Sequence, residues 1–313
     1  MKIKLLIILL FFISALFLIP SVIYYLANLQ NEENLKRENL SRAIVLPADT
    51  RESKLADIAE KHLLNNSGEY AIVIKNLKTG ENYFYNENKK FNSASLYKLW
   101  IMAVAFQKIK DGLLSEDDVL TLPLSYLDDT LSTTTPTPTL EGFSPSPSLE
   151  EEPRFISMST GDAIERMITI SDNYAALLVA SRSGTTNVIQ FLKDYNFKNS
   201  NFRQPPQTTA EDTSLFFEKL YKGEIIDKDY SEKMVDILKN QTLNDRIPKY
   251  LQKNTPVAHK TGELFNAKHD AGIVYSSKGD YIIVVLTDTN DVKKAIESIA
   301  NFSKAVYDYF TTL

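Results

Sequence analysis

The most informative segment of this 313-residue chain is SLYKLWIMAVAFQKI, residues 95–109, which is apolar on nearly every side of a helix. A surface helix keeps a polar face, whereas a helix that is hydrophobic all round is buried on most of its faces. Ser95 and Lys98 are the polar residues of its first turn. We therefore predict that residues 95–109 form the central helix of a folded domain.

The segments around this helix predict strands at both chain ends and helices between them. Such an order indicates an α/β (α+β) fold in which one antiparallel sheet, flanked by helices, is built from both ends of the chain and carries an all-α lobe as an insertion. The predicted strands are 70–77, 82–85, 257–262, 271–276 and 281–287, and the other predicted helices include 54–64, 159–170, 173–183 and 292–310.

The composition is that of a globular protein, with 43% hydrophobic residues, 24% charged residues and a formal net charge of −5. It has no concentration of Lys and Arg that would attract nucleic acid, so nucleic acid is not an expected partner. The chain has no cysteine, which excludes disulfides, a thiolate nucleophile, Cys-ligated metals and the lipid-modified cysteine of a lipoprotein. We expect a monomer that needs no cross-links.

The N-terminus carries a candidate membrane anchor, in which Lys2 and Lys4 precede an apolar run over residues 5–26. A helix of about 20 residues can cross a hydrocarbon core of about 30 Å. The residues after the run form a weak cleavage site, so we favour an uncleaved anchor over a cleaved signal peptide. The predicted organisation is an anchor or signal over 1–28, a polar stalk over 29–50, and an extracytoplasmic domain over 51–313.

A stretch of unusual composition interrupts this domain at residues 127–153. It is rich in Thr, Ser and Pro, contains acidic residues, and has neither Lys nor Arg. Such a sequence buries too little apolar surface to offset the entropy of ordering it. We predict a flexible insertion there and assign it no function.

Three short motifs carry the chemistry. Ser95 and Lys98 are three residues apart, which places the hydroxyl and the amine on one face of a helix. An amine buried among apolar side chains has a lowered pKa and can act as a base towards the hydroxyl. The other two motifs are Ser171-Asp172-Asn173, at a junction of two predicted helices, and Lys260-Thr261-Gly262, at the end of a predicted strand.

In this order, the three motifs resemble those of the penicillin-recognising superfamily, and most closely the class A β-lactamase-like serine hydrolases. The resemblance extends from about Lys54 to the C-terminus. It implies the β-lactamase/transpeptidase-like fold, with the site in a cleft between the mixed lobe and the all-α lobe. No cofactor or metal is implied, and no His, Asp and Glu spacing suggests a metal centre.

The resemblance also implies a role for each motif residue. Ser95 is expected to be the acylated nucleophile and Lys98 its general base. Ser171 is expected to relay a proton to the leaving nitrogen, and Asn173 to hold the side-chain amide of the substrate. Lys260 is expected to supply positive charge between Ser171 and the substrate carboxylate.

The strand residues complete the expected site. Thr261 would donate to the substrate carboxylate, and Gly262 would keep the cleft free of a side chain. The backbone N–H groups of Ser95 and Glu263 would form the oxyanion hole.

Three departures from the family pattern bear on turnover. No Glu lies between Asn173 and Glu211 to activate the hydrolytic water, and Glu211 itself falls in the first turn of a predicted helix, where we expect a structural role. The Glu263 carboxylate shares a side of the strand with Thr261 and would oppose a substrate carboxylate. Ala271 stands where many class A enzymes have an arginine.

The histidines are expected to be mainly structural. His259 neighbours Lys260 but should point to the opposite face of the strand, while His269 is expected near the site, where it could shape substrate access.

Two functions remain open on these grounds. One is a serine hydrolase that forms a Ser95 acyl-enzyme with β-lactams or related amides and releases it slowly. The alternative is a penicillin-binding D-alanyl-peptidase-like protein, or a non-catalytic peptidoglycan-binding scaffold. The expected partners are a small-molecule β-lactam or peptidoglycan peptide, and the membrane through the N-terminal helix.

Overall fold

The computed structural model describes residues 50–134 and 154–312. Its strands, in chain order, are β1 (Glu69–Asn76), β2 (Asn82–Tyr85), β3 (Phe91–Asn92), β4 (Val119–Pro123), β5 (Phe155–Ser159), β6 (Gln207–Thr208), β7 (Val257–Leu264), β8 (Ala267–Val274) and β9 (Tyr281–Asp288). Its α-helices are α1 (Thr50–Ala59), α2 (Lys98–Lys110), α3 (Leu124–Thr134), α4 (Thr160–Thr169), α5 (Asn173–Ser183), α6 (Thr185–Asp194), α7 (Ala210–Tyr221), α8 (Lys228–Lys239) and α9 (Val292–Thr312). A π-helical turn (Glu60–Leu64) extends α1, and a 3-10 turn (Ala94–Tyr97) leads into α2.

The main sheet is antiparallel and is built from both ends of the chain, as predicted. Its strands lie in the order β2-β1-β9-β8-β7. The N-terminal hairpin enters the sheet where β1 pairs with β9 along its whole length, from Glu69 opposite Asp288 to Asn76 opposite Tyr281. This pairing leaves β7, which carries the Lys260 motif, at one edge of the sheet.

Alternating side chains of the strands fill two hydrophobic clusters, one on each face of the sheet. On one face, Val73 and Val284 join a large cluster that includes α2 and most of the other helices. On the other face, Ile72 and Val285 pack with residues of α1 and α9. This alternation is the period-two pattern expected of strands buried on both sides. The strands of the mixed lobe and the helices of the helical lobe therefore share the first of these two clusters.

The helix predicted over residues 95–109 is central to that core. Every residue of α2 from Lys98 to Phe106 is buried. The first turn differs from the prediction, because residues 94–97 form a 3-10 turn and the α-helix begins at Lys98. Ser95 therefore lies in a tight turn immediately before the helix.

Part of the predicted flexible insertion, 127–153, is ordered as a helix. Residues 124–134 form α3, and the fully buried Leu127 anchors it. The composition of residues 127–153 does not reveal that Leu127 is an apolar position that packs in the core. Residues 135–153 lie outside the described residues.

The predicted anchor over 1–28 and the stalk over 29–50 lie outside the described residues, except for Thr50 at the start of α1. Within residues 50–134 and 154–312, no helix combines the length and hydropathy needed to span a membrane.

Candidate active site

Ser95 lies in the turn that joins the sheet region to α2. The backbone around it is held from several sides: Ala94 N donates to Asn92 Oδ1 at 3.0 Å, and Ser93 N donates to the Pro206 carbonyl at 2.8 Å. Ala94 has a φ of +45°, in the left-handed region that costs a residue with a side chain about 1 kcal/mol or more. These contacts hold the strained turn. Within the described residues, Ser95 Oγ has no hydrogen-bond partner, so the hydroxyl is available to a ligand.

Lys98, one turn further along, is fully buried. Its Nζ donates to the Ser171 carbonyl at 2.7 Å, to Asn173 Oδ1 at 2.8 Å and to Ser171 Oγ at 3.2 Å. Burial lowers the pKa of Lys98 to about 7, although the nearby Asp172 carboxylate opposes the shift. A substantial fraction of the amine is therefore neutral near pH 7. The contacts tie Lys98 to the Ser171 motif rather than to Ser95.

Ser171 occupies the junction between α4 and α5. Its φ of +56° is also left-handed, and this conformation turns the chain sharply between the two helices. Asp172 begins α5 as its N-cap, accepting from Ala175 N at 3.0 Å, and pairs with Arg166 at 2.7 Å. The cap and the ion pair fix the position of the junction beside Lys98.

Lys260 brings the edge strand β7 to the same junction. Its side chain is fully buried, and its Nζ donates to Ser171 Oγ at 3.0 Å and to the Thr261 carbonyl at 2.9 Å. Burial lowers the pKa of Lys260 well below the ordinary range, and the charge of Lys98 lowers it further. Ser171 Oγ is thus held between two amines, Lys98 and Lys260.

Thr261 and Gly262 line the strand next to the Ser95 turn. Thr261 Oγ1 is buried and has no hydrogen-bond partner among the described residues. A Cβ at Gly262 would lie 3.2 Å from the Ser93 carbonyl and 3.1 Å from the His269 ring. The sequence suggested that Gly262 keeps the cleft open. The structure gives a different reason, because the glycine lets β7 approach the backbone of the Ser95 turn.

The Glu263 carboxylate has two cationic partners, which the sequence did not predict. It forms an ion pair with Arg246 and another, at 2.8 Å, with Lys268. Arg246 is fully buried, and it precedes β7 in a segment without a recognisable motif. Sequence reasoning missed it. The family pattern suggests an arginine at the position of Ala271, which the structure places on β8.

His259 of β7 and His269 of β8 are both buried. His259 is buried, with Nδ1 2.8 Å from Asp270 Oδ1 and Nε2 3.0 Å from Asn244 Oδ1, as expected for a structural residue. His269 is also fully buried, which corrects the expectation that it shapes substrate access. It lies within β8, where its partners are backbone groups rather than a substrate.

The contacts of Glu211 agree with the structural role that its position in a helix predicts. It lies in the first turn of α7 and pairs with Lys75 of β1 at 3.2 Å. Among residues 50–134 and 154–312, no group of three or more His, Asp or Glu side chains is arranged to hold a metal ion.

The segment beside the Ser95 turn, residues 195–209, contains no carboxylate. It contacts the turn at two points: the Phe202 ring lies 5.9 Å from the Tyr97 ring, and the Pro206 carbonyl accepts from Ser93 N. Asp194, which precedes the segment, is exposed and accepts from Gln190 at 2.7 Å. No carboxylate base is therefore supplied to Ser95 by this segment.

Comparisons with known proteins agree with this arrangement. The model of a family described as the beta-lactamase enzyme family matches residues 50–310. The solved structure of PBP-A is 23% identical with a TM-score of 0.70, and the match covers 83% of this chain and 97% of that one. A variant of PBP-A solved as an acyl-enzyme with penicillin G has the same identity, coverage and TM-score.

Two β-lactamase structures are similar to a comparable degree. A β-lactamase from Sphaerobacter thermophilus DSM 20745 is 18% identical, with a TM-score of 0.69 and coverage of 83% of this chain and 98% of that one. The TLA-3 extended-spectrum β-lactamase is 22% identical, with a TM-score of 0.67 and the same coverage. At these identities the solved structures establish the fold. No curated protein sequence matches this chain significantly.

Proposed function

Because this chain belongs to the beta-lactamase enzyme family, we propose that it is a serine hydrolase of the class A β-lactamase type, whose Ser95 forms an acyl-enzyme with β-lactams or related amides. The observation that carries the proposal is the position of Ser171 Oγ, 3.2 Å from Lys98 Nζ and 3.0 Å from Lys260 Nζ. Three motifs far apart in sequence converge there on one proton-transfer path.

The acylation step uses this path. Neutral Lys98 takes the proton of Ser95 as Oγ attacks the amide carbonyl and forms a C–O bond. The developing oxyanion is stabilised by the backbone N–H groups of Ser95 and Glu263, the second of which belongs to the edge strand β7. The proton then passes through Ser171 Oγ to the leaving nitrogen as the C–N bond breaks. Lys98 ends the step neutral again.

Substrate binding is assigned to side-chain groups that take no part in the proton transfer. Asn173 uses Oδ1 to accept from Lys98, which leaves its Nδ2 to donate to an amide carbonyl of the substrate. Thr261 Oγ1, buried and without a partner in the described part of the chain, donates to the group next to the leaving nitrogen. Lys260 holds Ser171 in place through its hydrogen bond to Oγ.

Deacylation is proposed to be slow. Hydrolysis of the ester requires a base that activates water, and a positioned general base contributes about 10²–10⁴ in rate. The segment over residues 195–209, which contacts the Ser95 turn, offers no carboxylate for this role. The same observation favours a second candidate, a penicillin-binding D-alanyl-peptidase-like protein, for which a β-lactam is an inhibitor rather than a substrate.

Labelling with a fluorescent penicillin tests the nucleophile. We expect the wild-type protein to carry the label after denaturing electrophoresis, because the ester at Ser95 is covalent and long-lived. Ser95→Ala should abolish the labelling. Ser181→Ala, which removes an exposed hydroxyl on α5, is the control and should label like the wild type. Equal labelling of the Ser95→Ala protein would refute the assignment.

We further propose that the domain lies outside the cytoplasm, held at the membrane by residues 1–28. The support is the sequence, in which Lys2 and Lys4 precede an apolar run long enough to span a bilayer. The full-length protein is expected to remain with membranes after a high-salt wash and to be released by detergent. A soluble product that begins near residue 28 would instead indicate a cleaved signal peptide.

A further inference from the structure

Four charged side chains form a cluster beside the Lys260 motif. Arg246 and Lys268 are the cations, and Glu263 and Asp245 are the anions. One carboxylate oxygen of Glu263 accepts from Arg246 and the other accepts from Lys268 at 2.8 Å, while Asp245 lies 3.3 Å from Arg246. Two cations and two anions compensate each other, so the cluster offers little net positive charge to a substrate.

Arg246 depends on this compensation because its side chain is fully buried, with 0% exposure. Its Nη1 also donates to the His269 carbonyl at 3.2 Å, and its Nε has no partner among the described residues. A buried guanidinium that loses an anionic partner carries a large desolvation penalty. If Glu263 were uncharged, Arg246 would be left with a strong tendency to attract another anion.

The cluster lies where a substrate is expected to end. Side chains two apart on a strand point to the same side, so Glu263 and Thr261 face the same space. Thr261 Oγ1 is the buried, unpartnered donor on that side. A carboxylate that accepted from Thr261 would come close to the Glu263 carboxylate, which is 44% exposed. A carboxamide in the same place could accept the hydrogen bond without the repulsion.

Lys260 does little to change this balance. Its amine is fully buried and already donates to Ser171 Oγ and to the Thr261 carbonyl. Burial and the nearby charge of Lys98 both lower the pKa of Lys260. The group facing Thr261 therefore meets a hydrogen-bond donor in surroundings of low net charge.

We propose that Glu263 is a specificity-determining residue that favours substrates with an uncharged group, such as a carboxamide, facing Thr261 over substrates with a free carboxylate there. The inference rests on the proposed function only for the place where the substrate lies. It assigns to this chain a preference for amides whose leaving part ends in an amidated rather than a free carboxyl group.

Equilibrium binding tests the preference without acylation. In the Ser95→Ala background, the Kd of benzylpenicillin and the Kd of its primary carboxamide are measured by calorimetry at one pH and one ionic strength. With Glu263 intact, we expect the carboxamide to bind at least as tightly as the acid. Glu263→Gln should shift the ratio of the two Kd values towards the acid by about tenfold, the size expected for a partly exposed charge several ångströms away.

Two further variants keep the test decisive. Lys268→Met removes one cation but keeps the pair of Glu263 with Arg246, so it should shift the ratio in the opposite direction, towards the carboxamide. Asp308→Asn removes a carboxylate of similar exposure, 54%, that pairs with Lys304 on α9, and it should leave the ratio unchanged. The Lys268 variant provides a test even if Glu263→Gln fails to fold.

The outcomes separate this inference from the proposed function. An unchanged ratio in both Glu263→Gln and Lys268→Met overturns the inference, and so does the absence of measurable binding of either ligand. Fluorescent labelling of the wild-type protein is independent of these results. Labelling with an unchanged ratio overturns the preference alone, whereas a shifted ratio without labelling overturns the acyl-enzyme alone.

Discussion

At the scale of single residues, the hydroxyl of Ser171 connects Lys98 of the central helix with Lys260 of the edge strand. It accepts from Lys98 at 3.2 Å and from Lys260 at 3.0 Å, and the left-handed φ of +56° at Ser171 directs it there. With both lone-pair regions occupied by amines, the hydroxyl proton points away from them. In the proposed acylation step, that proton passes to the leaving nitrogen.

The pH dependence of acylation tests the role of Lys98. Burial lowers its pKa to about 7, and only the neutral amine accepts a proton. The second-order rate constant for acylation by benzylpenicillin should therefore rise through pH 6 to 8 and level off above about pH 8. Stopped-flow measurement across this range gives the profile.

Lys98→Arg is the matched variant for that profile. The guanidinium stays charged throughout, since its pKa exceeds about 12, so the rate constant should fall by at least about 10². A profile without a rise near pH 7 in the wild type, or an arginine variant that acylates at the wild-type rate, would contradict the role of Lys98 as base.

Site residues that belong to a sequence motif were predictable. Site residues that only the fold brings together were not. Ser95, Lys98 and Lys260 could be singled out because their spacing is itself the signal. Arg246 could not, because its partner Glu263 is 17 residues away and the pair forms only when the segment before β7 folds back on the strand. The pairing of Glu263 with Arg246 was therefore not predictable from the sequence.

At the scale of the elements, His269 links three strands behind the site. Its Nε2 donates to the Asn92 carbonyl of β3 at 2.8 Å, and its Nδ1 accepts from Thr287 N of β9 at 3.0 Å. This requires a neutral ring, and burial lowers the pKa of His269 to about 4. Protonation of Nδ1 would remove the acceptor for Thr287 and place a charge in the core.

The stability of the domain should therefore fall on acidification. The folded-state pKa lies below the unfolded value of about 6.5, so the unfolded chain takes up the proton first. The contribution is present in full above about pH 6.5 and is lost as the pH falls towards 4. Between pH 7 and pH 5 we expect a loss of about 2 kcal/mol in the free energy of unfolding, measured by urea denaturation.

His269→Gln provides the comparison for this pH dependence. The variant should be less stable than the wild type at pH 7, because it loses the fit of the ring between the strands, but its stability should depend less on pH between 7 and 5. An equal dependence in both proteins would show that other groups cause it.

Long elements were predictable and the shortest were not. The strands that became β1, β7 and β9 are runs of apolar and β-branched residues with clear turns beside them. The structure shifts β1 by one residue and lengthens β7 and β9 by two residues and one residue. By contrast, β3 and β6 have two residues each, too few for any periodicity. Their pairing nevertheless holds residues 91–92, which directly precede the Ser95 turn, against residues 207–208.

At the scale of the whole molecule, the site exists only when distant parts of the chain meet. Ser95 follows the first hairpin, Ser171 lies between two helices of the middle region, and Lys260 comes from the C-terminal strands. The central helix α2 and the shared core hold the three together. The convergence of both chain ends in one sheet was predictable from the order of strand and helix patterns, whereas the distances between the motifs required the structure.

The central claim is a Ser95 acyl-enzyme that persists because residues 195–209, the described segment that contacts the Ser95 turn, supply no carboxylate to release it. Intact-protein mass spectrometry over time after mixing with benzylpenicillin tests it most directly, with peptide mapping to locate the adduct. The account predicts a rapid gain of one penicillin mass at Ser95 and an adduct that persists over many minutes. Rapid return to the free protein with multiple turnovers, unaffected by Glu211→Gln, would contradict it, and so would an adduct on any residue other than Ser95.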